Sequence, residues 1–405
     1  MTSDLRLPHA PLGEAADDPA NSRTGAGDAL PLRSVVRQFH LWLGLTLGGL
    51  FALISLTGSA LVFYVEIDAA LHPQVQVPAS PHAPAPNPRA LDRALQTGRG
   101  RWHDPAGKWS FEVHGAHGTI PARYYPSAEH GHHARRMMVW FSADGARVLR
   151  AEPWGGYLMT WLYELHMHLL AGETGRAVVG WSGVAMLLLL VSGIAVWWPR
   201  GSWRKALAFK RGAAPLRRVR DLHKLFGLWS AALLFVLVAT GVLLALPQVK
   251  TQLLAWTVAA PDPLPSPTSL PSGRAQVSVS QAIAAAHRAL PAGRLAFVDV
   301  PARGPDPIRV RMQVPGDPHA RFPSSFVFVD SHSGTVLAVH DTRRSNAGTT
   351  AAKWIRVLHD GSVGGTATRI LAIVLGLVPT FLFVTGLIHW RRRTAARSRF
   401  SKRSE

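Results

Sequence analysis

The chain has 405 residues, no Cys, 44 Lys and Arg against 24 Asp and Glu, and a formal net charge of +20. Zero Cys excludes disulfides, Fe–S clusters, thiolate-ligated or covalently attached c-type haem, and Cys-based zinc sites, so metal chemistry is left to His, Met, Tyr and carboxylates. Charged residues are 17 % of the chain, below the roughly 25 % of soluble domains, and they are clumped. Their placement excludes nucleic acid as the partner and points to a lipid bilayer.

In chain order, residues 1–32 are polar, contain Asp17, Asp18 and Asp28, and show no cleavable signal peptide; a disordered cytoplasmic leader is expected. Four apolar runs follow: Leu41–Val65, Ala177–Trp198, Leu225–Leu246 and Ile370–Trp390. None holds a Lys, Arg, Asp or Glu, and each is long enough to cross a hydrocarbon core of roughly 30 Å at about 1.5 Å per residue. The expected spans are 33–66, 157–199 with an outer helical extension, 219–247, and 353–391 with a second extension. Trp197, Trp198 and Trp390 close runs at the headgroup level. The loop 200–218 and the tail 392–405 are strongly basic, and Arg33 and Arg37 flank the first run, so both termini are expected in the cytoplasm of a bacterial inner membrane.

The segments 67–156 and 248–352 then face the periplasm. In the second, with its core at 277–341, Val277-Ser278-Val279-Ser280 reads as a strand end or N-cap before an Ala-rich helix over Gln281–Leu290, and Pro291-Ala292-Gly293 breaks it. Leu295–Val300, Ile308–Val314, Phe326–Val329 and Thr335–Val339 read as strands. The first segment reads as a degenerate version, with strands at Phe111–Val113, Ala122–Tyr125, Met138–Phe141 and Val148–Arg150. Pro-rich stretches, Pro78–Pro88 and Pro261–Pro271, are expected to be stiff linkers. The tract Glu129-His130-Gly131-His132-His133 reads as an exposed loop with a weaker alternative as a metal trap.

The chain also duplicates itself. Val36-Arg37-Gln38-Phe39-His40 aligns with Val219-Arg220-Asp221-Leu222-His223, and at the same offset Gly44 with Gly227 and Thr57-Gly58 with Thr240-Gly241. Leu165-His166 aligns with Leu358-His359, Arg176 with Arg369, Gly193 with Gly386 and Trp197 with Trp390. The fold class expected is an α-helical membrane protein, four transmembrane helices in two tandem repeats, with two periplasmic α+β domains and a pseudo-two-fold axis along the membrane normal.

Ser280-Gln281-Ala282-Ile283 through Leu290-Pro291, with Phe328-Val329-Asp330 and Ser333-Gly334-Thr335-Val336-Leu337, resembles a PepSY domain. Arg37 with His40 and Gly44, Leu165-His166 with Gly172, Leu222-His223 with Gly227, and Leu358-His359-Asp360-Gly361 resemble the PepSY-associated transmembrane-helix family, over nearly the whole chain after residue 30. That family includes iron-regulated inner-membrane proteins and ferric-siderophore reductases that carry b-type haem. The resemblance therefore implies haem-mediated electron transfer.

His40 and His223 hold equivalent positions at one level, and His166 and His359 at the other. A lone interfacial His commonly bonds a backbone carbonyl, but matched pairs at two levels fit axial ligation of a haem between facing helices. Zinc competes, though it normally takes three or four ligands. Two haems b are expected, one per pair. Arg176 and Arg369 are read either as partners of haem propionates or as interfacial anchors. His168, on another helix face from His166, and His389, without a repeat partner, rank second. Were residues 166–197 one helix, the levels would lie roughly 45 Å apart, with Phe235 or Phe381 as conceivable relays.

The expected function is an inner-membrane electron conduit that reduces a ferric siderophore or other Fe(III) chelate in the periplasm. With no strand-anchored Gly-rich dinucleotide motif, electrons must come from a separate cytoplasmic or membrane donor. Two alternatives stand beside it: a non-enzymatic PepSY anchor for a periplasmic protein or peptidase, and a siderophore or metal transporter. The second is weakened by the absence of broken helices and midplane polar residues.

Overall fold

The computed structural model describes residues 32–73, 75, 87–113, 119–127, 136–199, 201–270, 275–302 and 304–401. The leader before Leu32, most of the first Pro-rich stretch and the Glu129–His133 tract lie outside the described residues.

Four long helices are apolar enough to cross a membrane: α1 (Leu32–Leu61), α5 (Gly172–Trp197), α7 (Pro215–Ala245) and α11 (Gly365–Ser401). They pack in a ring, α1 on α5, α5 on α7, α7 on α11 and α11 on α1. Much of their apolar surface faces outward, including Trp181, Trp229, Leu188 and Val374. In water that surface would be costly, so the bundle requires lipid. Short helices complete each end. α2 (Tyr64–Leu71) and α4 (Leu158–His168) belong to the first half, α6 (Trp203–Leu207) to the basic loop, and α8 (Pro247–Thr257) and α10 (Ala347–His359) to the second half. α4 packs on α1 and α5, and α10 packs on α7 and α8.

Both extramembrane segments fold into one sheet. Its strands are β1 (Lys108–Glu112), β2 (Thr119–Tyr125), β3 (Met137–Ser142), β4 (Val148–Pro153), β5 (Arg294–Val300), β6 (Ile308–Gln313), β7 (Ser325–Val329) and β8 (Val336–His340). Their order is β4-β3-β2-β1-β5-β6-β7-β8, all antiparallel. The sequence reading expected two separate α+β domains. Instead β1 pairs with β5, Phe111 opposite Val298 and Glu112 opposite Phe297, so the halves share one sheet. Pairing the two would-be edge strands removes two exposed edges.

Every expected strand is present within a few residues, but the first half also holds a helix that the reading passed over, α3 (Pro88–Trp102). Asn87 caps it, Pro88 opens it, and Ala90, Leu91, Ala94, Leu95 and Gly98 form its buried stripe. Its counterpart α9 (Val279–Ala289) starts with a capping box between Ser278 and Gln281. α3 and α9 touch and cover the same sheet face, where Trp109, Phe111, Phe141, Ile283 and Val310 close the core. Residues 259–270 are more than a linker: Asp262 N donates to Thr349 Oγ1 at 2.7 Å, and Leu270 N to Asp330 Oδ2 at 3.1 Å.

The sheet is fixed to the bundle by polar contacts. Arg369 of α11 donates to Glu66 of α2 at 2.6 and 2.9 Å and to the Val62 carbonyl at 2.6 Å. Arg150 of β4 reaches Asp68 at 3.2 Å, and the Tyr64 and Tyr157 hydroxyls are 2.7 Å apart.

Candidate functional site

The helix packing brings the four singled-out histidines into two pairs. At the end of the bundle away from the sheet, the rings of His40 (α1) and His223 (α7) have centroids 6.5 Å apart and planes at 87°. At the sheet end, His166 (α4) and His359 (α10) have centroids 6.2 Å apart and planes at 33°.

One device holds each ring. His166 Nδ1 lies 2.9 Å from the Ile54 carbonyl and 3.3 Å from Thr57 Oγ1. His359 Nδ1 lies 3.0 Å from the Leu237 carbonyl and 3.4 Å from Thr240 Oγ1. His40 Nδ1 lies 3.1 Å from the Leu189 carbonyl and 3.0 Å from Ser192 Oγ. His223 Nδ1 lies 2.9 Å from Thr385 Oγ1, with the Leu382 carbonyl as its backbone partner. In each case the carbonyl stands three residues before the hydroxyl residue. Each hydroxyl also back-bonds to its own helix, as in Thr57 to Leu53 O and Thr385 to Phe381 O, which leaves its lone pair to accept from the imidazole.

A carbonyl oxygen only accepts, so Nδ1 carries the proton in each ring and Nε2 keeps its lone pair. That is the tautomer of an imidazole able to bind a metal through Nε2, with the other nitrogen oriented by a backbone acceptor. Burial keeps the sheet-side pair neutral as well. It pushes His166 down to about 4, with the neighbouring His359 adding to the effect, and it lowers His359.

The residue after each hydroxyl is Gly: Gly58, Gly193, Gly241 and Gly386. A Cβ on Gly58 would stand 2.7 Å from His166 Cε1, and one on Gly241 2.8 Å from His359 Cε1. On Gly193 it would stand 3.0 Å from His40 Cε1, and on Gly386 3.5 Å from His223 Cε1. His166, His359 and His40 therefore lie against bare backbone, whereas a Cβ at Gly386 would make only an ordinary contact with His223. Gly44 and Gly227, one turn from His40 and His223, would make only ordinary contacts at 3.7 Å, so packing does not require glycine there.

The sequence singles out the histidines and aligns Thr57-Gly58 with Thr240-Gly241, but none of the four hydroxyls, Thr57, Ser192, Thr240 or Thr385, was read as an orienting partner. The signal was available: a Ser/Thr-Gly dipeptide stands on each spanning helix, matched between the halves at the offsets already noted. His168 does not join a pair; its Nδ1 meets Glu164 at 2.9 Å. His389 sits one turn beyond Gly386 on α11, without a ring contact to His223 among the described residues. Arg369 is committed to Glu66 and lies over the Phe63 ring at 4.0 Å. Arg176 makes a 3.3 Å contact with Glu173 and a 3.4 Å one with the Leu244 carbonyl, and its buried Nε has no partner. Phe381 packs on Phe226 with centroids 4.6 Å apart, whereas Phe235 faces outward. Among the described residues, no three His, Asp or Glu side chains converge to hold a metal ion.

The model of the PepSY-associated TM region matches residues 37–393, a stretch that contains both pairs and all eight strands of the sheet. The chain belongs to this family. It is also similar, at 35 % identity over 94 residues, to a Pseudomonas aeruginosa protein named "Uncharacterized protein PA4219"; the match spans 23 % of each chain. Family membership and the four apolar helices make this a membrane protein.

Proposed function

We propose that this family member is an inner-membrane electron conduit that binds two b-type haems and passes electrons to a ferric siderophore or other Fe(III) chelate in the periplasm. The observation that carries the reading is the pairing of imidazoles with every Nδ1 proton committed. The paired rings, with centroids 6.5 and 6.2 Å apart, would let one imidazole from each of two facing helices hold a metal ion placed between them. A two-nitrogen donor set suits a metal whose remaining ligands come from its own macrocycle, and it falls short of the three or four that zinc takes.

His40 with His223, and His166 with His359, would hold the two groups. Arg176, with its unpartnered Nε, is the basic side chain on hand for a propionate, whereas Arg369 is already engaged by Glu66. Bound haem supplies one-electron redox chemistry. The protein's part is to keep four imidazoles neutral, oriented and within a low-dielectric bundle. The four matched hydroxyl–glycine seats support two tandem repeats. The Lys and Arg residues of the 200–218 loop and the tail support cytoplasmic termini and, with them, a periplasmic sheet. A separate donor on the cytoplasmic side or in the membrane feeds the His40–His223 pair. Reduction frees the iron because hard, oxygen-rich chelators hold Fe(II) less well than Fe(III).

The test is a visible spectrum of the protein purified from haem-replete cells. A Soret band that shifts and a sharp α band on dithionite reduction are expected, and His40→Ala and His359→Ala should each remove about one haem equivalent. Colourless, folded protein would refute the conduit and favour the PepSY anchor.

A further inference from the structure

The sheet face turned away from α3 and α9 carries arginines laid over phenylalanine rings. Arg123 and Arg311 lie over Phe297 at 5.1 and 5.4 Å, and Arg309 and Arg311 over Phe326 at 5.3 and 4.9 Å. Arg321 and Arg356 both lie over Phe322 at 5.2 Å. Phe297 and Phe322 stack with centroids 5.6 Å apart, so the guanidinium groups form one cluster.

Carboxylates neutralise only part of it. Glu112 takes Arg321 at 2.6 Å and Arg123 at 3.5 Å, and Asp299 takes Arg309 at 2.8 Å. Arg311 and Arg356 have no hydrogen bond or ion pair to a carboxylate among the described residues, and Arg311 Nε is buried without a partner. Lys250 of α8, a helix that packs on α10, is half-buried and also lacks one among the described residues. Arg356 joins the set to the sheet-side pair, since it stands three residues before His359 on α10, one helical turn away. Arg356 is exposed, so the cluster opens to solvent.

We propose that Arg311, Arg356 and Lys250 form a docking site for an anionic ligand beside the His166–His359 pair, so that this chain takes Fe(III) chelates of net negative charge in preference to cationic ones. The choice of iron chelate as the ligand rests on the electron-conduit reading. The chemistry follows from the geometry. A guanidinium lying over a phenyl ring keeps its N–H edges free, and those edges match a carboxylate, hydroxamate or catecholate oxygen pair. Clustered cations without carboxylate partners are relieved by a negative guest, and a patch of one sign also steers such a guest inward.

The experiment uses the full-length protein in lipid nanodiscs. Equilibrium dialysis measures binding of radio-iron Fe(III)–EDTA, which is singly negative, and of a ferric trihydroxamate bearing a free ammonium, which is singly positive. The anionic complex should bind about tenfold more tightly at low salt, and the difference should shrink as salt is added. The double variant Arg311→Gln, Arg356→Gln should lose most of that preference with its visible spectrum unchanged. Equal binding of the two chelates, or an unaltered preference in the double variant, overturns the proposal. A parallel measurement follows reoxidation of the dithionite-reduced protein by the same chelates. Charge-selective binding without any reoxidation would refute the conduit and leave the docking site standing.

Discussion

Replacing Gly58 with Ala tests the seat of the sheet-side pair directly. The added methyl would lie 2.7 Å from His166 Cε1 and 3.2 Å from its Nδ1. Carbon atoms settle at about 3.5–4.0 Å, so the ring must retreat by roughly 1 Å. It cannot do so freely, because Nδ1 is tied at 2.9 Å to the Ile54 carbonyl on the same helix. Either that bond breaks or α4 moves away from α1. Both displace Nε2 by about half of a metal–nitrogen bond of roughly 2 Å. Loss of an orienting contact of this kind costs about 10–100-fold in metal affinity, or about 1.4–2.7 kcal/mol. The natural control is Gly386→Ala, whose methyl would meet His223 Cε1 at 3.5 Å, an ordinary contact. Pyridine-haemochrome content per protein should fall from two to about one in Gly58→Ala and stay at two in Gly386→Ala. Two haems with an unaltered spectrum in Gly58→Ala would refute the argument that bare backbone seats the imidazole.

Three further outcomes follow from other contacts. Thr385→Val removes the 2.9 Å partner of His223 Nδ1 while nearly conserving volume, so it should weaken haem retention at the His40–His223 level by about tenfold and leave the other level intact, read by stepwise haem loss under competition with apomyoglobin. Arg369→Ala should cost about 1 kcal/mol after solvent screening of the half-exposed Glu66, seen as a lower midpoint of thermal unfolding in nanodiscs. Burial alone would raise Glu66, but the Arg369 hydrogen bond and charge hold its carboxyl below the ordinary value of 4.5. Its contribution is therefore complete above that value and lost as pH falls through the lower folded value, and the Arg369→Ala melting curve should lack this acid-dependent part. Trp109→Ala should cost about 3–5 kcal/mol, because the side chain is 1 % exposed and stacks on Tyr124 and Phe111. Limited proteolysis should then open the sheet while the visible bands persist.

Much of this was legible in the sequence for definite physical reasons. Spanning helices are written as uncharged runs because lipid tolerates nothing else, and the histidines stood out because imidazoles are costly beside such runs. The strands of the second half were legible from alternation, as in β6, where Ile308, Val310 and Met312 are buried and Arg309 and Arg311 are not. α3 was missed because Arg89, Arg93, Arg99 and Arg101 dilute its apolar stripe, which is built from small alanines. The β1–β5 seam was invisible because pairing between distant edge strands leaves no local pattern; Glu112 finds Arg321 and Asp299 finds Ser110, each roughly two hundred residues away in the chain. Ser192 and Thr385 were passed over since a hydroxyl back-bonded within a helix reads as neutral until a ring is brought to it.

The spacing between the imidazole levels is the point at which chain reversal matters most. One helix from His166 to Trp197 would separate them by roughly 45 Å. Instead α4 ends at His168, and Leu169 and Leu170 turn the chain with φ of 47° and 59° before α5 starts at Gly172. The second half makes the same reversal with Gly361 and Gly365 at φ 73° and 65°. Leucine in that region costs about 1–2 kcal/mol per residue, and such strain persists only where the surroundings enforce it. The reversal folds α4 back along α1 and sets His166 against Gly58. Gly58 stands 18 residues from His40, just as Gly241 stands 18 from His223. At 1.5 Å per residue the levels are then about 27 Å apart. Relief of the strain gives a test. Leu170→Gly should raise the unfolding midpoint by the equivalent of about 1 kcal/mol and keep both haems, because only the backbone penalty is removed. If Leu170→Gly instead loses the sheet-side haem, the leucine side chain, and not the left-handed turn, is what holds α4 in place.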